Sequence, residues 1–289
     1  MPNAYPSTVT VSVGALSIED VVAVARYGAK VEIAPEALEE VAATRERVEE
    51  LAQDPTPVYG ISTGFGALAR RHIPEEMRAQ LQLSLVRSHA AGTGPEVEEE
   101  VIRALMLLRL STLCTGRTGV RPVVVETYAK ALNAGIVPVV REYGSLGCSG
   151  DLAPLAHCAL ALLGEGEVRV NGELKDAGDA LAAAGIEPLQ LREKEGLALI
   201  NGTDGMLGQL CLAITDLRAA AKTADIATSM TVEGLLGTLV VFADDLQQLR
   251  PHPGQADAAA NILQVAEGSE ILEAALEEFK KNQVQDAYS

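Results

Sequence analysis

The chain has 289 residues, 40 of them acidic and 23 basic, which gives a formal net charge of −17. Hydrophobic residues make up 48% and charged residues 22%, proportions typical of a folded globular protein rather than a disordered one. Aromatic residues make up only 3%, and the negative charge repels phosphate. Both observations disfavour a nucleic-acid-binding protein.

The cysteines and histidines show no spacing typical of a zinc or redox site, so no metal is expected. Scattered cysteines in a chain of this length predict buried thiols in a reducing compartment. The N-terminus lacks the basic and apolar regions of a signal peptide, and no window holds about 18 uninterrupted apolar residues. We therefore expect a cytoplasmic protein that does not contact a membrane. The cysteines are Cys114, Cys148, Cys158 and Cys211.

Residues 1–13 are predicted to be extended, and the two elements after them are predicted helices with clear end signals. One begins at Ser17, with acidic residues in its first turn, and ends at Gly28. The next has Pro35 in its first turn and runs to about Gln53. Residues 54–66 then hold two prolines and three glycines, which predicts a loop with several hinges.

The middle of the chain predicts further helices and one hairpin. A long helix begins near Pro95, where glutamates crowd the positive end of the helix dipole, and another covers residues 121–133. Asp151 is expected to cap the helix formed by LAPLAHCALALLG. The segment EVRVNGEL, with Asn171 and Gly172 at its centre, predicts a small β-hairpin.

The C-terminal part is predicted to be almost entirely helical. Residues 206–249 are compatible with helix, with an irregularity at Gly234 and Gly237, and residues 255–282 are expected to form one last helix. No βαβ alternation and no internal repeat is evident. The sequence therefore predicts a mainly α protein, a long-helix bundle with one short β-hairpin.

The segment 144–151 reads GSLGCSGD and allows two interpretations. It is either a glycine-rich turn before a capped helix or a backbone segment that cyclises. In the second case the amide nitrogen of Gly150 attacks the carbonyl carbon of Cys148. Loss of water there and from Ser149 leaves an electrophilic exocyclic methylidene. Glycine suits this step because a Cβ at position 150 would block the approach.

Six segments, in the same order, resemble motifs of the aromatic amino-acid ammonia-lyases. Their electrophile is 4-methylidene-imidazole-5-one (MIO), usually built from Ala-Ser-Gly. Here Cys148 takes the alanine position, and its side chain stays outside the new ring. The resemblance implies the helical-bundle fold of that family. The segments are 59–66 (YGISTGFG), 88–92 (SHAAG), 144–157 (GSLGCSGDLAPLAH), 201–203 (NGT), 250–255 (RPHPGQ) and 285–289 (QDAYS).

The resemblance also implies roles for individual residues. Tyr59 would be the base that removes the β-proton, and His89 would face the substrate side chain. A Ser-His pair at this position is typical of the histidine-using branch. Asn201 would hydrogen-bond near the MIO oxygen or the substrate amine, while Gln285 and Tyr288 would line the site. Without the resemblance, these residues would be interpreted as loop, cap or structural positions.

The implied reaction is elimination of ammonia from L-histidine to give trans-urocanate, with MIO as electrophile and without metal or nucleotide. The resemblance further implies a homotetramer. It also implies an MIO-bearing helical domain, 1–200, followed by the start of the central long-helix bundle, 201–289. Members of the family continue past QDxYS, where an arginine binds the substrate carboxylate, so the chain is expected to be truncated.

Several alternatives stay open from the sequence alone. The chain could be one half of a split lyase that needs a complementing C-terminal chain, a shortened lyase that assembles by itself, or a non-catalytic homologue. It could also act on another aromatic amino acid. An unrelated alternative is a hydrolase that uses Ser149 with a histidine, although the spacing of a nucleophile elbow is missing.

Overall fold

A computed structural model describes residues 5–147 and 150–282, and they form a mainly helical protein, as predicted. The helices are α1 (Ile18–Tyr27), α2 (Pro35–Gln53), α3 (Glu75–His89), α4 (Glu99–Cys114), α5 (Pro122–Asn133), α6 (Leu152–Leu162), α7 (Ala177–Ala183), α8 (Glu195–Ile200), α9 (Asp204–Gly234), α10 (Asp244–Gln247), α11 (Pro253–Val265) and α12 (Glu270–Asn282). The strands are β1 (Thr8–Val11), β2 (Lys30–Ile33), β3 (Thr93–Glu96), β4 (Ile136–Pro138), β5 (Arg141–Tyr143), β6 (Glu167–Val170) and β7 (Glu173–Asp176).

Helix α1 shows how the local sequence sets an element's ends. The Ser17 hydroxyl oxygen accepts a hydrogen bond from the Asp20 amide at 3.0 Å, and the Asp20 carboxylate accepts one from the Ser17 amide at 3.0 Å. This capping box satisfies two amides that the helix leaves unpaired. Gly28 ends the helix in the left-handed conformation, with φ of 66°. Both predicted ends of this helix are therefore confirmed.

The β structure is more extensive than predicted. Strands β1 and β2 pair in parallel across α1, so the chain does contain one short βαβ unit, and the expectation of none was wrong. Strand β3 pairs with β5, and β4 pairs with β6 of the predicted hairpin. The hairpin itself is confirmed: Asn171 and Gly172 form its turn with φ values of 54° and 79°.

Three helical expectations need correction. Helix α3 was not predicted, because it buries the polar residues Arg78 and Gln82 instead of presenting an apolar stripe. Helix α4 begins at Glu99 rather than near Pro95, since the preceding residues pair as β3. The single last helix is two helices, α11 and α12, separated at Gly268, whose φ is 77°.

The chain divides into two compact units, Met1–Leu212 and Ala213–Ser289. In the first unit, α3, α6 and α8 pack against one another, and α4 packs against α1 and α5. The core of this unit is formed mainly by leucine, valine and alanine side chains. The predicted division into 1–200 and 201–289 stays a prediction. The packing of α3, α6 and α8 matters for function because it holds several of the six motifs.

The second unit exposes several large apolar side chains, including Leu217, Met230, Leu235 and Leu249. Such exposure is typical of surfaces that associate with other chains. By length and composition alone, the stretch Glu195–Gly234 is apolar enough to cross a membrane. Its most apolar window is 44% buried, and core helices of globular proteins pass the same test, so this stretch is weak support for a membrane span.

Candidate active site

One hydroxyl joins described residues on the two sides of positions 148 and 149. Ser145 Oγ donates to Asp151 Oδ1 at 2.7 Å and accepts from the Gly147 amide at 3.2 Å. The amide of Leu146 lies 3.5 Å from the Gly150 carbonyl oxygen. The two residues between, Cys148 and Ser149, lie outside the described residues. The described backbone on both sides of them is therefore held by hydrogen bonds.

Asp151 does not act as the predicted side-chain cap of α6. It precedes that helix, but its carboxylate makes no capping hydrogen bond there. Its Oδ2 instead accepts from the Met206 amide at 3.0 Å, in the first turn of α9, while Oδ1 accepts from Ser145. With only 1% of Asp151 exposed, the carboxylate is a buried link between Ser145 and the first turn of α9. It satisfies an orphan amide of α9 rather than of its own helix.

Gly150 fits the requirement of the predicted cyclisation. The residue is buried, and a Cβ built on it would lie 2.8 Å from Cγ of Leu152. No side chain is accommodated without moving Leu152, so this place in the fold suits glycine. Ring closure needs the same absence of a Cβ for the nitrogen to approach a carbonyl carbon. The described surroundings therefore fit the MIO group, which Cys148, Ser149 and Gly150 would form.

Asn201 lies at the end of α8 and belongs to a loop joined to the cyclising segment. Its amide donates to the Leu197 carbonyl at 3.1 Å, which ends the helix, and its side chain is exposed. The next residue, Gly202, accepts from the Asp151 amide at 2.8 Å. The structure thus brings the NGT motif and the GSLGCSGD motif into direct contact.

His89 is the last residue of α3 and is half-buried. Its Nδ1 lies 2.9 Å from the Leu85 carbonyl oxygen and 3.1 Å from Oγ of Ser88. Because a carbonyl oxygen can only accept, Nδ1 donates the hydrogen bond to Leu85. The two contacts of Nδ1 orient the ring at the end of α3.

The turn after His89 is joined to α6 by a hydrogen bond. The Gly92 amide donates to Nε2 of His157 at 3.1 Å, which requires that nitrogen to be unprotonated. Burial, and then the nearby charge of Arg141, lowers the pKa of His157 below the usual histidine value. Two motifs, SHAAG and the LAPLAH helix, meet at this hydrogen bond.

Tyr59 lies on a folded loop and is 51% exposed. Its ring packs edge-to-face on Phe65, with centroids 6.2 Å apart, and its hydroxyl oxygen accepts from the Gly66 amide at 3.4 Å. Beneath it the loop is held by the buried hydroxyls of Ser62 and Thr63. The predicted hinged segment is thus a compact loop from which the tyrosine projects.

Not every predicted site residue can be placed. Besides Cys148 and Ser149, the residues Gln285 and Tyr288 lie outside the described part of the chain. Within that part, Gly150 and Asn201 are joined through Asp151 and Gly202. His89 belongs to a turn held by the same helix, α6. Across residues 5–147 and 150–282, no cluster of three potential metal ligands is found.

Sequence reasoning missed the buried residues that support these loops. Arg109 and Asp204 form an ion pair below the NGT loop, and His157 holds the SHAAG turn. A signal for Arg109 was present, because a lone arginine interrupts the apolar run ALMLLRL of α4. No comparable local signal exists for His157, whose partner lies 65 residues away in sequence.

The family model of the aromatic amino acid lyases matches residues 16–289. The chain belongs to the aromatic amino acid lyase family, which confirms the resemblance drawn from the six motifs.

Relatives within the family are more specific. Histidine ammonia-lyase of Streptomyces avermitilis is 59% identical over 283 residues, covering 98% of this chain and 55% of the relative. The histidine ammonia-lyase of Gloeobacter violaceus is 47% identical, covering 95% of this chain and 53% of the relative. The chain therefore spans about half the length of the curated relatives that it matches.

Solved structures agree on the fold. Tyrosine aminomutase from Streptomyces globisporus superposes with a TM-score of 0.87 at 39% identity, covering 98% of this chain and 54% of that chain. Histidine ammonia-lyase from Trypanosoma cruzi gives a TM-score of 0.83 at 36% identity, covering 93% of this chain and 52% of that chain. The predicted long-helix architecture of the lyase type is thereby confirmed.

Proposed function

We propose that this chain is a carbon–nitrogen lyase that converts L-histidine to trans-urocanate and ammonia. The observation that carries the proposal is the SHAAG turn with its ordered His89, in a chain 59% identical to a histidine ammonia-lyase. The ring of His89 is a polar partner that suits the hydrogen-bonding imidazole of histidine. The phenyl ring of phenylalanine offers no hydrogen-bonding group.

The electrophile would be MIO, formed from Cys148, Ser149 and Gly150. When formed, it supplies an electron-poor carbon that makes the substrate's amino group a better leaving group. Ser145 and Asp151, on the two sides of Cys148 and Ser149, hydrogen-bond to each other. Helix α6 begins at Leu152, and its positive N-terminal end favours negative charge that develops nearby.

Tyr59 would take the β-proton of the substrate. Its hydroxyl projects from a compact loop and accepts a hydrogen bond from the Gly66 amide. Asn201 would contact the substrate amine or the MIO oxygen from the end of α8. Gln285 and Tyr288 would complete the site, with Tyr288 near the amine.

The working protein would be a cytoplasmic assembly. Family resemblance favours a homotetramer, and the exposed apolar side chains of the second unit suit association with further copies or with a complementing C-terminal chain. The chain spans about half the length of its curated relatives, so its assembly with a further chain is tested together with its activity.

The activity test uses the chain alone and the chain co-expressed with the part of the S. avermitilis enzyme that lies beyond the matched region. L-histidine, L-phenylalanine and L-tyrosine are supplied, and the unsaturated acid formed is followed by its absorbance. We expect urocanate from histidine, and a loss of about 10²-fold or more in kcat for Tyr59→Phe. Faster turnover of phenylalanine or tyrosine would contradict the histidine assignment. No product in either preparation would favour the non-catalytic homologue.

A further inference from the structure

Arg109 is an unusual side chain for its place in the fold. It lies in the middle of α4, between buried leucines, and only 1% of its surface is exposed. Burying a guanidinium costs several kcal/mol unless it is well paired, and an apolar residue of similar size often gives equal or better stability. Stability of α4 alone therefore does not explain an arginine at this position.

The guanidinium bridges the two ends of the loop that carries Asn201. Nη1 donates to the Ala198 carbonyl at 3.1 Å, in α8, and Nη2 pairs with Oδ2 of Asp204, the first residue of α9. The other carboxylate oxygen of Asp204 accepts from Oγ1 of Thr112 at 3.1 Å, one turn further along α4. One buried side chain thus fixes both sides of the segment 198–204.

The loop is also shaped around this guanidinium. Gly202 lies directly over it, and a Cβ built on Gly202 would overlap Nη2 of Arg109 and Oδ2 of Asp204. Backbone and guanidinium are therefore in contact, with no room for a side chain between them. A movement of the Arg109 guanidinium toward Gly202 would therefore displace the backbone of the NGT loop.

The same loop holds the backbone that follows the cyclising tripeptide. The Gly202 carbonyl accepts from the Asp151 amide, and the Met206 amide donates to the Asp151 carboxylate. Asp151 directly follows Gly150. A chain of contacts therefore runs from Arg109 through the NGT loop to the third residue of the predicted MIO group.

We propose that Arg109 is a positioning residue that sets, from within the core, the conformation of the Asn201 loop and of the backbone beside Gly150. The inference rests on the proposed function for its catalytic consequence, although the structural part is independent of it. Without Arg109, the NGT loop would lose the guanidinium on which its backbone packs, and both Asn201 and the Asp151 amide would shift. We expect lower cyclisation efficiency even when the protein is otherwise stable.

The test separates positioning from stability with paired variants. Arg109→Met leaves Asp204 buried without its partner, so we expect the Tm to fall by about 10 °C. The double variant Arg109→Met/Asp204→Leu removes both charges, and its Tm should return to within about 3 °C of the parent. Arg109→Lys gives a further folded variant, because its ammonium keeps the charge but cannot match the two-sided guanidinium contact.

Two readouts are compared in these variants. Hydrogen–deuterium exchange reports amide protection over residues 201–206, and the mass of the peptide spanning 148–150 reports the fraction that has lost two waters. We expect protection to fall about tenfold in all three variants, including the double variant with recovered Tm. The cyclised fraction should fall in parallel.

Arg103 provides a matched control on the same helix. Its guanidinium donates to the carbonyls of Val24 and Leu132 rather than to the NGT loop. Arg103→Met should lower the Tm and leave protection over 201–206 unchanged.

Parent-like protection and cyclised fraction in the double variant would overturn the proposal. If the parent itself retains an intact serine in every preparation, the proposed function fails. The exchange data would still decide the role of Arg109.

Discussion

The residues that support the candidate site and those that would touch the substrate are held very differently. Arg109, Asp151 and Asp204 are buried, and their charged groups bond to backbone, to side-chain hydroxyls or to each other. Tyr59 is half exposed and Asn201 exposed, each with few partners. This difference indicates that the accuracy of the candidate site resides in the buried residues, which fix the loop backbones that carry the side chains proposed to contact the substrate.

This contrast makes opposite predictions for the two groups. Changing a supporting residue should cost much stability, because it leaves buried polar groups without partners or forces atoms to overlap. Changing a contacting residue should cost little stability and much activity. The following variants are ordered by their expected effect on the free energy of unfolding.

The largest effect is expected for Gly202→Ala. The new methyl group would overlap the Arg109 guanidinium, so the loop or the ion pair must move, at a cost of about 3 kcal/mol or more. Gly14→Ala is the matched control, because its Cβ would meet only Oγ of Ser12 at 3.5 Å. Chemical denaturation measures both. Equal stabilities for the two variants would show that the loop is not packed on Arg109.

Asp151→Ala should come next. It leaves the Ser145 hydroxyl and the Met206 amide without their acceptor, which we expect to cost about 2 kcal/mol. Asp20→Ala, which removes a carboxylate from the surface cap of α1, should cost less, about 1 kcal/mol. A smaller loss at position 151 than at position 20, measured by urea unfolding, would argue against the buried link.

His157 should give a smaller, pH-dependent effect. Its pKa is lowered in the folded chain by burial and by Arg141, so the unfolded chain binds the proton first as the pH falls. The stabilisation is complete above the usual histidine pKa of about 6.5 and is lost as the pH falls below it. Partial burial and solvent screening limit it to less than about 1 kcal/mol.

The matched variant for this prediction is His157→Gln. A glutamine oxygen can still accept from the Gly92 amide but does not titrate. Unfolding curves between pH 5 and 8 should therefore be flatter for this variant than for the parent. An unchanged pH dependence would assign the effect to other groups.

The smallest stability effect is expected for Tyr59→Phe. The hydroxyl makes one long hydrogen bond at a half-exposed position, so its loss should change stability by less than about 0.5 kcal/mol. Thermal unfolding provides this measurement, while the lyase assay should show the large loss in kcat proposed above. A large loss of stability in Tyr59→Phe would instead place Tyr59 among the residues that support the site.

Local signals in the sequence predicted much of the fold, and long-range pairing explains what they missed. The capping box at Ser17 and the Asn171–Gly172 turn were found because neighbouring residues encode them. Helix α3 was not predicted, because the buried polar residues Arg78 and Gln82 interrupt its apolar pattern. The parallel pairing of β1 and β2 involves strands of only four residues, too short for a reliable period.

In the candidate site, too, local signals were visible in the sequence and long-range contacts were not. Its motifs were visible because each is a short run of unusual residues, such as GSLGCSGD. The buried residues that support the site were not visible in the sequence. Arg109 contacts Asp204 over a separation of 95 residues, and a single sequence does not report such contacts. The capping role predicted for Asp151 was wrong for this reason, since α9, which it does cap, lies far along the chain.

We propose that the backbone of Cys148, Ser149 and Gly150 becomes an electrophile. Mass spectrometry of the peptide spanning these residues tests this most directly, in the chain expressed alone and together with the part of the S. avermitilis enzyme beyond the matched region. We expect a peptide lighter by two water molecules in the preparation that produces urocanate. An intact serine peptide of full mass in such an active preparation would contradict it.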